Sequence, residues 1–393
     1  MKFIFKYNVV VMIVAGVLVS LSALATAKPW MQLGQDLHGD EVGDLFGCSV
    51  SLSSNGTTAL IGGPHNDKNG DNSGHARVYD WDGTLWVQRG ADILGRRDKS
   101  YFGGDTALSA DGNTTLIMAE DYFAVYTWDP ATKSWKQRGA RIEDGSKGAL
   151  SQDGNTALIA KPLAGFRSPE VTWSGLARIY VWDGAKWIQR GSDILGTPGN
   201  RFGWSVSLSS DGKTASIGGV GATGGKSVSN GVVRVYDWDG RNWKQRGIDI
   251  YGSKLCDFFG LANSISSDGN SIAIGAPCVK TAKDKSGYAR VYDWNGKEWV
   301  QRGVDLVGEP MQKLGRSVDL SDDGNTLLVG AHGTKGRLYD WDGKAWVQRG
   351  PDIDSAGASV SLSADGRTAL IGSPGGLKVG DPIPSAGIVR VFR

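Results

Sequence analysis

Trp30-Met31-Gln32-Leu33-Gly34 stands alone at the head of the chain, and Trp86-Val87-Gln88-Arg89-Gly90 repeats it with an arginine in the fourth place. The form Trp-x-Gln-Arg-Gly then returns at Trp135, Trp187, Trp243, Trp299 and Trp346. One more repeat begins after Trp346, yet it ends at Gly387-Ile388-Val389-Arg390-Val391-Phe392-Arg393 without any such motif. A repeat lacking its last strand, with an orphan copy of that strand at the other terminus, is what a closed ring of β-blades needs. The two termini are expected to pair in one blade and seal the ring.

Working outward, an Asp-Gly or Asn-Gly turn recurs seven times, ending at Gly56, Gly112, Gly154, Gly212, Gly269, Gly324 and Gly366. The same order surrounds each turn. An alternating strand such as Phe202-Gly203-Trp204-Ser205-Val206-Ser207-Leu208-Ser209 precedes it, and an apolar strand such as Thr58-Ala59-Leu60-Ile61-Gly62 follows. A variable loop then leads to Gly-x-x-Arg-Val-Tyr-Asp-Trp, a short Asp-Gly turn and the Trp-x-Gln-Arg-Gly strand. Each repeat therefore reads as four antiparallel strands, A to D from the axis outward. The expected fold is all-β: one seven-bladed β-propeller over residues 28–393, in repeats of about 50 residues.

Alternation in strand A puts Val206 and Leu208 on one face and Ser205, Ser207 and Ser209 on the other, so the serines are read as small structural residues at the crowded centre, not as nucleophiles. Trp81 and Trp86 flank the turn between C and D and should face each other; such pairs account for most of the fifteen tryptophans. Asp80 and Arg89 fall on one face of the same hairpin, as do Asp237 and Arg246, Asp293 and Arg302, and Asp340 and Arg349. A charge pair recurring blade after blade is architecture. It lapses at Thr127 and Val181.

Residues 1–27 read as an export signal: Lys2 and Lys6, a nearly unbroken apolar run from Val9 to Ala25, and the small-residue cleavage site Ala25-Thr26-Ala27. A secreted, periplasmic or cell-surface location follows, with no membrane insertion once the signal is cleaved; an uncleaved signal would instead leave a membrane anchor. The formal charge of +2 falls to about 0 without Lys2 and Lys6. Nothing supplies a basic stripe for phosphates, so nucleic acid is not an expected partner. Of three cysteines, Cys256 and Cys278 flank one hairpin and are expected to form a disulfide, leaving Cys48 as a buried free thiol.

The chain resembles the FG-GAP repeat family, found in the head of integrin α subunits and in many exported bacterial and algal proteins. Phe46-Gly47, Phe102-Gly103, Phe202-Gly203 and Phe259-Gly260 begin strand A, and Gly62-Gly63-Pro64, Gly275-Ala276-Pro277 and Gly372-Ser373-Pro374 close strand B. The resemblance spans residues 30–393 and implies the same propeller. The third unit departs from it, reading Gly145-Ser146-Lys147-Gly148; the sixth has Leu314-Gly315, and the second lacks the Gly-Ala-Pro element. The Asp-x-Asp-x-Asp-Gly calcium loop that such repeats often carry is reduced here to Ser-x-Asp-Gly or similar, which leaves too few oxygen ligands. That metal site is not carried over.

Tight A–B and C–D turns should open on one face of the ring and the long B–C and D–A loops on the other, which makes the loop face the place for a site. The most polar cluster there belongs to blade 1: His38, Asp40, Glu41 and Asp44 before strand A, and His65, Asp67, Asn69 and Asp71 in the B–C loop, with His332 nearly equivalent to His65 in another blade. Asp67-x-Asn69-x-Asp71 approaches a calcium pattern, but Asn72 follows where Gly is wanted and no distal Glu is apparent. Solvated loop polarity is the preferred reading, and no cofactor is expected. Zinc spacing, a nucleophile elbow and a phosphate loop are all absent. The chain reads as a non-catalytic exported binding or adhesion scaffold for an extracellular protein or glycan, and as a monomer. An exported enzyme acting on polysaccharide with carboxylates at the axial mouth, and a structural surface component, are the alternatives.

Overall fold

The computed structural model describes residues 30–164, 173–221, 230–253, 257–277, 286–331, 335–353, 357–375 and 386–393. The expected signal peptide, the Cys256–Cys278 disulfide and His332 lie outside these residues. No helix among the described residues is long and apolar enough to cross a membrane.

Seven antiparallel sheets form a ring, one per repeat. In blade 1, strand A is Ser49–Leu52, B is Thr58–Gly63 and C is His75–Trp81. Strand D comes in two pieces, Trp86–Gln88 on the far half of C and Ile93–Leu94 on its near half. Between them lies Gly90, held at φ +74°, a left-handed conformation that breaks the strand. The single D strand read from the sequence is thus split, and the Arg-Gly of the motif is where it breaks. Blade 7 takes its D strand from the head of the chain. Gln32 stands opposite Phe392, Leu37–His38 pairs with Val389 and Ile388, and Leu33 donates its N–H to the Val391 carbonyl at 2.7 Å.

Strand B shows why the ring holds. Ala59, Leu60 and Ile61 are all fully buried, because alternate side chains enter two different cores. Ala59 and Ile61 join Leu370, Val389 and Val391 of blade 7, whereas Leu60 joins Ile117 and Ala124 of blade 2. The seven hydrophobic clusters among the described residues each straddle two adjacent blades. At about 25 cal/mol per Å² of buried apolar surface, stability resides between blades rather than within them.

The Trp-x-Gln-Arg-Gly motif is the polar part of the same junction. The first tryptophan's indole N–H donates to the backbone carbonyl at the motif's fourth position one blade back, at 2.9 to 3.3 Å, in all seven places: Trp86 to Leu33, Trp135 to Arg89, and so round to Trp30, which reaches Arg349. The arginine reaches forward, Arg89 to the Gly112 carbonyl and Arg246 to that of Gly269. The glycine leaves room for the next blade's tryptophan: a Cβ on Gly90 would lie 2.8 Å from the Trp128 ring. Six tryptophan pairs face each other with centroids 5.3 to 5.6 Å apart, as the hairpin pattern predicts. The expected pairs Asp80–Arg89 and Asp237–Arg246 are present at 2.5 and 2.6 Å.

At the axis the A–B turns are joined by a closed circle of backbone bonds. Ser54 donates to Ala110, Ala110 to Gln152, Gln152 to Ser210, Ser210 to Ser267, Ser267 to Asp322, Asp322 to Ala364, and Ala364 back to Ser54, at 2.8 to 3.1 Å. Deleting residues 28–38 removes both the strand that completes blade 7 and the carbonyl that receives Trp86. The truncated chain is expected to lose at least about 3 kcal/mol, from lost burial of Leu37 and lost backbone bonds, in urea unfolding. Trp243→Phe, which removes one indole bond to Arg190, should cost about 1 kcal/mol in the same experiment.

Candidate functional site

The blade 1 residues singled out in the sequence do gather on the loop face, but mostly to bind one another. Asp44 is buried, and its carboxylate accepts the backbone N–H groups of Asp40 and Glu41 at 2.8 and 3.0 Å and the Asn66 amide at 3.2 Å. Asp67 accepts the Asn72 N–H at 2.7 Å, and the Asn69 amide donates to the Gly95 carbonyl at 2.7 Å. The Asp71 carbonyl accepts the Lys99 N–H and the Asp71 carboxylate the Asn72 amide. Exposed His65 lies beside the Tyr101 ring, centroids 5.4 Å apart. The B–C loop of blade 1 is therefore fastened to the following D–A loop as one polar patch. His38 is half-buried in the closing strand, and Glu41 is exposed.

Three potential ligands that do converge are Asp40, His75 and Asp92. His75 is fully buried, both ring nitrogens lack a hydrogen-bond partner, and burial together with the neighbouring Arg77 lowers its pKa to about 4. The carboxylates, however, already hold a cation. Arg77 bonds Asp92 at 2.9 Å and also Asp40, and Lys68 bonds Asp92 at 2.8 Å. That arrangement is general. Arg178–Asp193, Arg234–Asp249, Arg290–Asp305 and Arg337–Asp352 repeat it, and Arg390–Asp36 repeats it across the ring closure. The motif's glutamine supports the same carboxylate, as Gln88 does for Asp92 at 2.8 Å. The D-strand aspartate and this second charge ladder escaped the sequence reading; a constant spacing of fifteen residues from Arg77 to Asp92, kept in five blades, was its signal.

At the A–B turns the side-chain oxygens are spent locally. Ser109 accepts the Thr114 N–H at 2.9 Å and donates to Asp111, which also accepts from Asn113. The same Ser-x-Asp-Gly-x-Thr network recurs at Ser151, Ser209 and Ser321.

An axial channel lined by strand A of every blade departs from this self-satisfied surface. It has two compartments of about 310 and 240 Å³ that share a collar of Val50, Thr106, Gly148, Val206, Asn263, Val318 and Val360. The inner compartment, toward the A–B turns, is crossed by a hydrogen bond from Gln152 to Asp322 at 2.7 Å, joining blades 3 and 6 on opposite sides. Its wall is tied by strand-A serines: Ser51 accepts the Leu108 N–H, Ser207 that of Ile265, Ser264 that of Leu320 and Ser361 that of Leu52. The structural reading of these serines holds. In blade 6 the place is taken by Asp319, which accepts the Leu362 N–H at 2.7 Å and the Ser264 hydroxyl at 2.8 Å, and whose pKa burial raises to about 6.

The outer compartment borders the loop face and breaks the repeat most. Cys48, Trp204, Leu261 and Arg316 occupy equivalent places, and Asp105 and Lys147 stand where blades 1, 4, 6 and 7 have serine. Lys147 lies 3.6 Å from Asp105, which also accepts the Gly148 N–H at 2.8 Å; burial pushes the Asp105 carboxyl up. Cys48 is free and half-buried here, its thiol pushed up by burial.

Residues 39–79 match the family model described as FG-GAP repeat. Blade 1 thus carries an FG-GAP repeat, and the seven-bladed ring around it fits a β-propeller built of such repeats. No curated protein matches it in sequence. Among solved structures, this propeller is similar to a chain of the Kuenenia stuttgartiensis hydrazine synthase, with 17% identity, a TM-score of 0.57, and coverage of 86% of this chain and 94% of that one. At that identity the likeness is one of fold.

Asp319 gives a pH test. Its folded pKa of about 6 lies above the ordinary 3.8, so between these values the folded form keeps a proton the unfolded form has lost, and stability falls as pH rises through that window. The full effect is at most about 3 kcal/mol, less where channel water screens the carboxylate. Asp319→Ser, which restores the residue of blades 1, 4, 5 and 7, should therefore gain on the wild type between pH 4 and pH 7 in urea unfolding. An unchanged difference across that range would contradict the assignment.

Proposed function

We propose that this propeller is an exported, non-catalytic recognition scaffold that holds an extracellular protein or glycan on its loop face. What supports this is the one-sided distribution of chemistry. On the turn face and between blades, each recurring charged or aromatic motif has a partner within the ring, so those residues have structural work to do. Charged departures at the turn end, Asp319 and Asp322, are bonded to other blades of the ring, whereas on the loop face stand Asp105, Lys147, Trp204 and Arg316 at the channel mouth and the polar blade 1 patch beside it. A rigid scaffold presenting irregular loops is the usual arrangement for recognition. The export signal read from residues 1–27 supports a location of that face outside the cytoplasm.

Binding of residues 28–393 to panels of glycans and of matrix and envelope proteins, with calcium and with chelator, tests this reading. A ligand is expected whose binding drops at least about tenfold when residues 64–73 or the mouth residues are replaced, with an unchanged melting temperature. Turnover of a panel glycan, or retention that survives replacement of the whole loop face, would reject it.

A further inference from the structure

The outer compartment of the axial channel has a composition that its structural neighbours do not explain. One position further along strand A than Trp204 and Arg316, the wall is spent on the ring: Ser205 donates to the Gly260 carbonyl, Ser317 to Gly357 and Ser359 to Gly47, at 2.7 to 3.0 Å. Asn263 in the collar is likewise committed, to Ser205 and Ser216. Arg316 differs. It is exposed at the mouth and makes no ion pair among the described residues. Lys147 shares the single carboxylate of Asp105, so the mouth carries two cations against one anion. Both cations and Asp105 act electrostatically on the Cys48 thiol, which places them around one small space.

Trp204 is the second irregularity. Twelve of the fifteen tryptophans form the six facing pairs and Trp30 closes the ring through its indole. Trp204 does neither; it lines the compartment, half-buried. An aromatic face and an excess of donors with positive charge, in about 240 Å³, suit a ligand with an apolar ring face and one carboxylate.

We propose that the outer compartment binds a carboxylated sugar, a uronic acid residue, with its ring against Trp204 and its carboxylate held by Arg316 and Lys147. Arg316 supplies a planar fork matched to a carboxylate, and Lys147 a second charge from the opposite side of the mouth. This rests on the recognition reading above and narrows its ligand, and the two fail separately. A panel ligand held with full affinity by the Arg316→Gln variant would sink this site alone. Glucuronate binding with no panel ligand would sink only the wider reading.

The probes are glucuronate, glucose and acetate, titrated into residues 28–393 with calorimetry and tryptophan fluorescence as readouts. Glucuronate should saturate and change the fluorescence, with glucose and acetate each weaker by about tenfold or more, the scale of a lost charge-assisted bond. Arg316→Gln should weaken glucuronate by about tenfold, and Trp204→Phe should remove most of the fluorescence change while keeping the fold. Lys297→Gln, an exposed charge on a C–D turn, should leave binding unchanged. Equal affinity for glucose would overturn the role of the cations, and equal affinity for acetate the role of Trp204. An absence of saturation by glucuronate, or variants at Arg316 and Trp204 that bind like the parent, would overturn the site itself.

Discussion

No blade of this ring can bury its own two apolar faces, and everything else in the structure answers that constraint. Strand B of blade 1 sends Ala59 and Ile61 into one core and Leu60 into the next, so removing a neighbour exposes half of each strand. The polar parts obey the same rule. An indole N–H ends on the preceding blade's carbonyl and an arginine on the following blade's turn. A linear array of such units would leave one blade at each end half-solvated. Ring closure by the head strand removes both ends at once, which explains why a single Trp-x-Gln motif precedes the first complete repeat.

Seven copies of one motif also serve as an internal standard. Where a copy departs, a second departure often compensates. The third unit lacks the phenylalanine that opens strand A in blades 1, 2, 4 and 5, and Phe123 from the neighbouring blade's strand C, where blade 1 has Ala76, lies fully buried against Gly145 and Gly148. One aromatic ring has been supplied from the other side of the same interface. Similarly, Ala124 stands where blade 1 has Arg77, and there the partner aspartate is also gone, replaced by Arg141, which lies over the Tyr122 ring at 4.0 Å. Paired changes of this kind preserve the junction and need no ligand to explain them. The mouth residues Trp204 and Arg316 have no such counterpart among the described residues.

Strand order, blade number, the Trp81–Trp86 pairing and the closure were legible in the sequence because each follows from a local pattern that recurs from repeat to repeat, or from the one place where it is cut. What pairs with what across a junction was not. Arg77 and Asp92 lie on different strands of one blade, and reading them as partners requires knowing that strand D breaks at Gly90. The polar blade 1 residues were found as a cluster, but not that Asp44 spends its carboxylate on two backbone amides and Asn66. Composition reports where polar groups are, whereas only geometry shows which are already satisfied. The channel wall was invisible for a related reason: Asp105, Lys147, Trp204 and Arg316 come from four different repeats, and only closing the ring brings them to one mouth.

The two ends of strand A differ in how much change they tolerate, and this accounts for where the irregular residues lie. At the turn end, the axial circle joins backbone to backbone, so side chains are free to vary without loosening it, but the link from Gln152 to Asp322 spans the opening. At the loop end, four serine bonds from Ser49, Ser205, Ser317 and Ser359 do the tying. Asp105, Lys147 and Ala262 interrupt that set, and Asp105 restores one link by accepting the Gly148 N–H. A net charge-assisted hydrogen bond contributes about 1.5–3 kcal/mol and a neutral one about 1, so replacing serine by aspartate at one junction offsets a missing tie at another. The ring can then carry chemistry at its open end without losing the rigidity that fixes the geometry of that end.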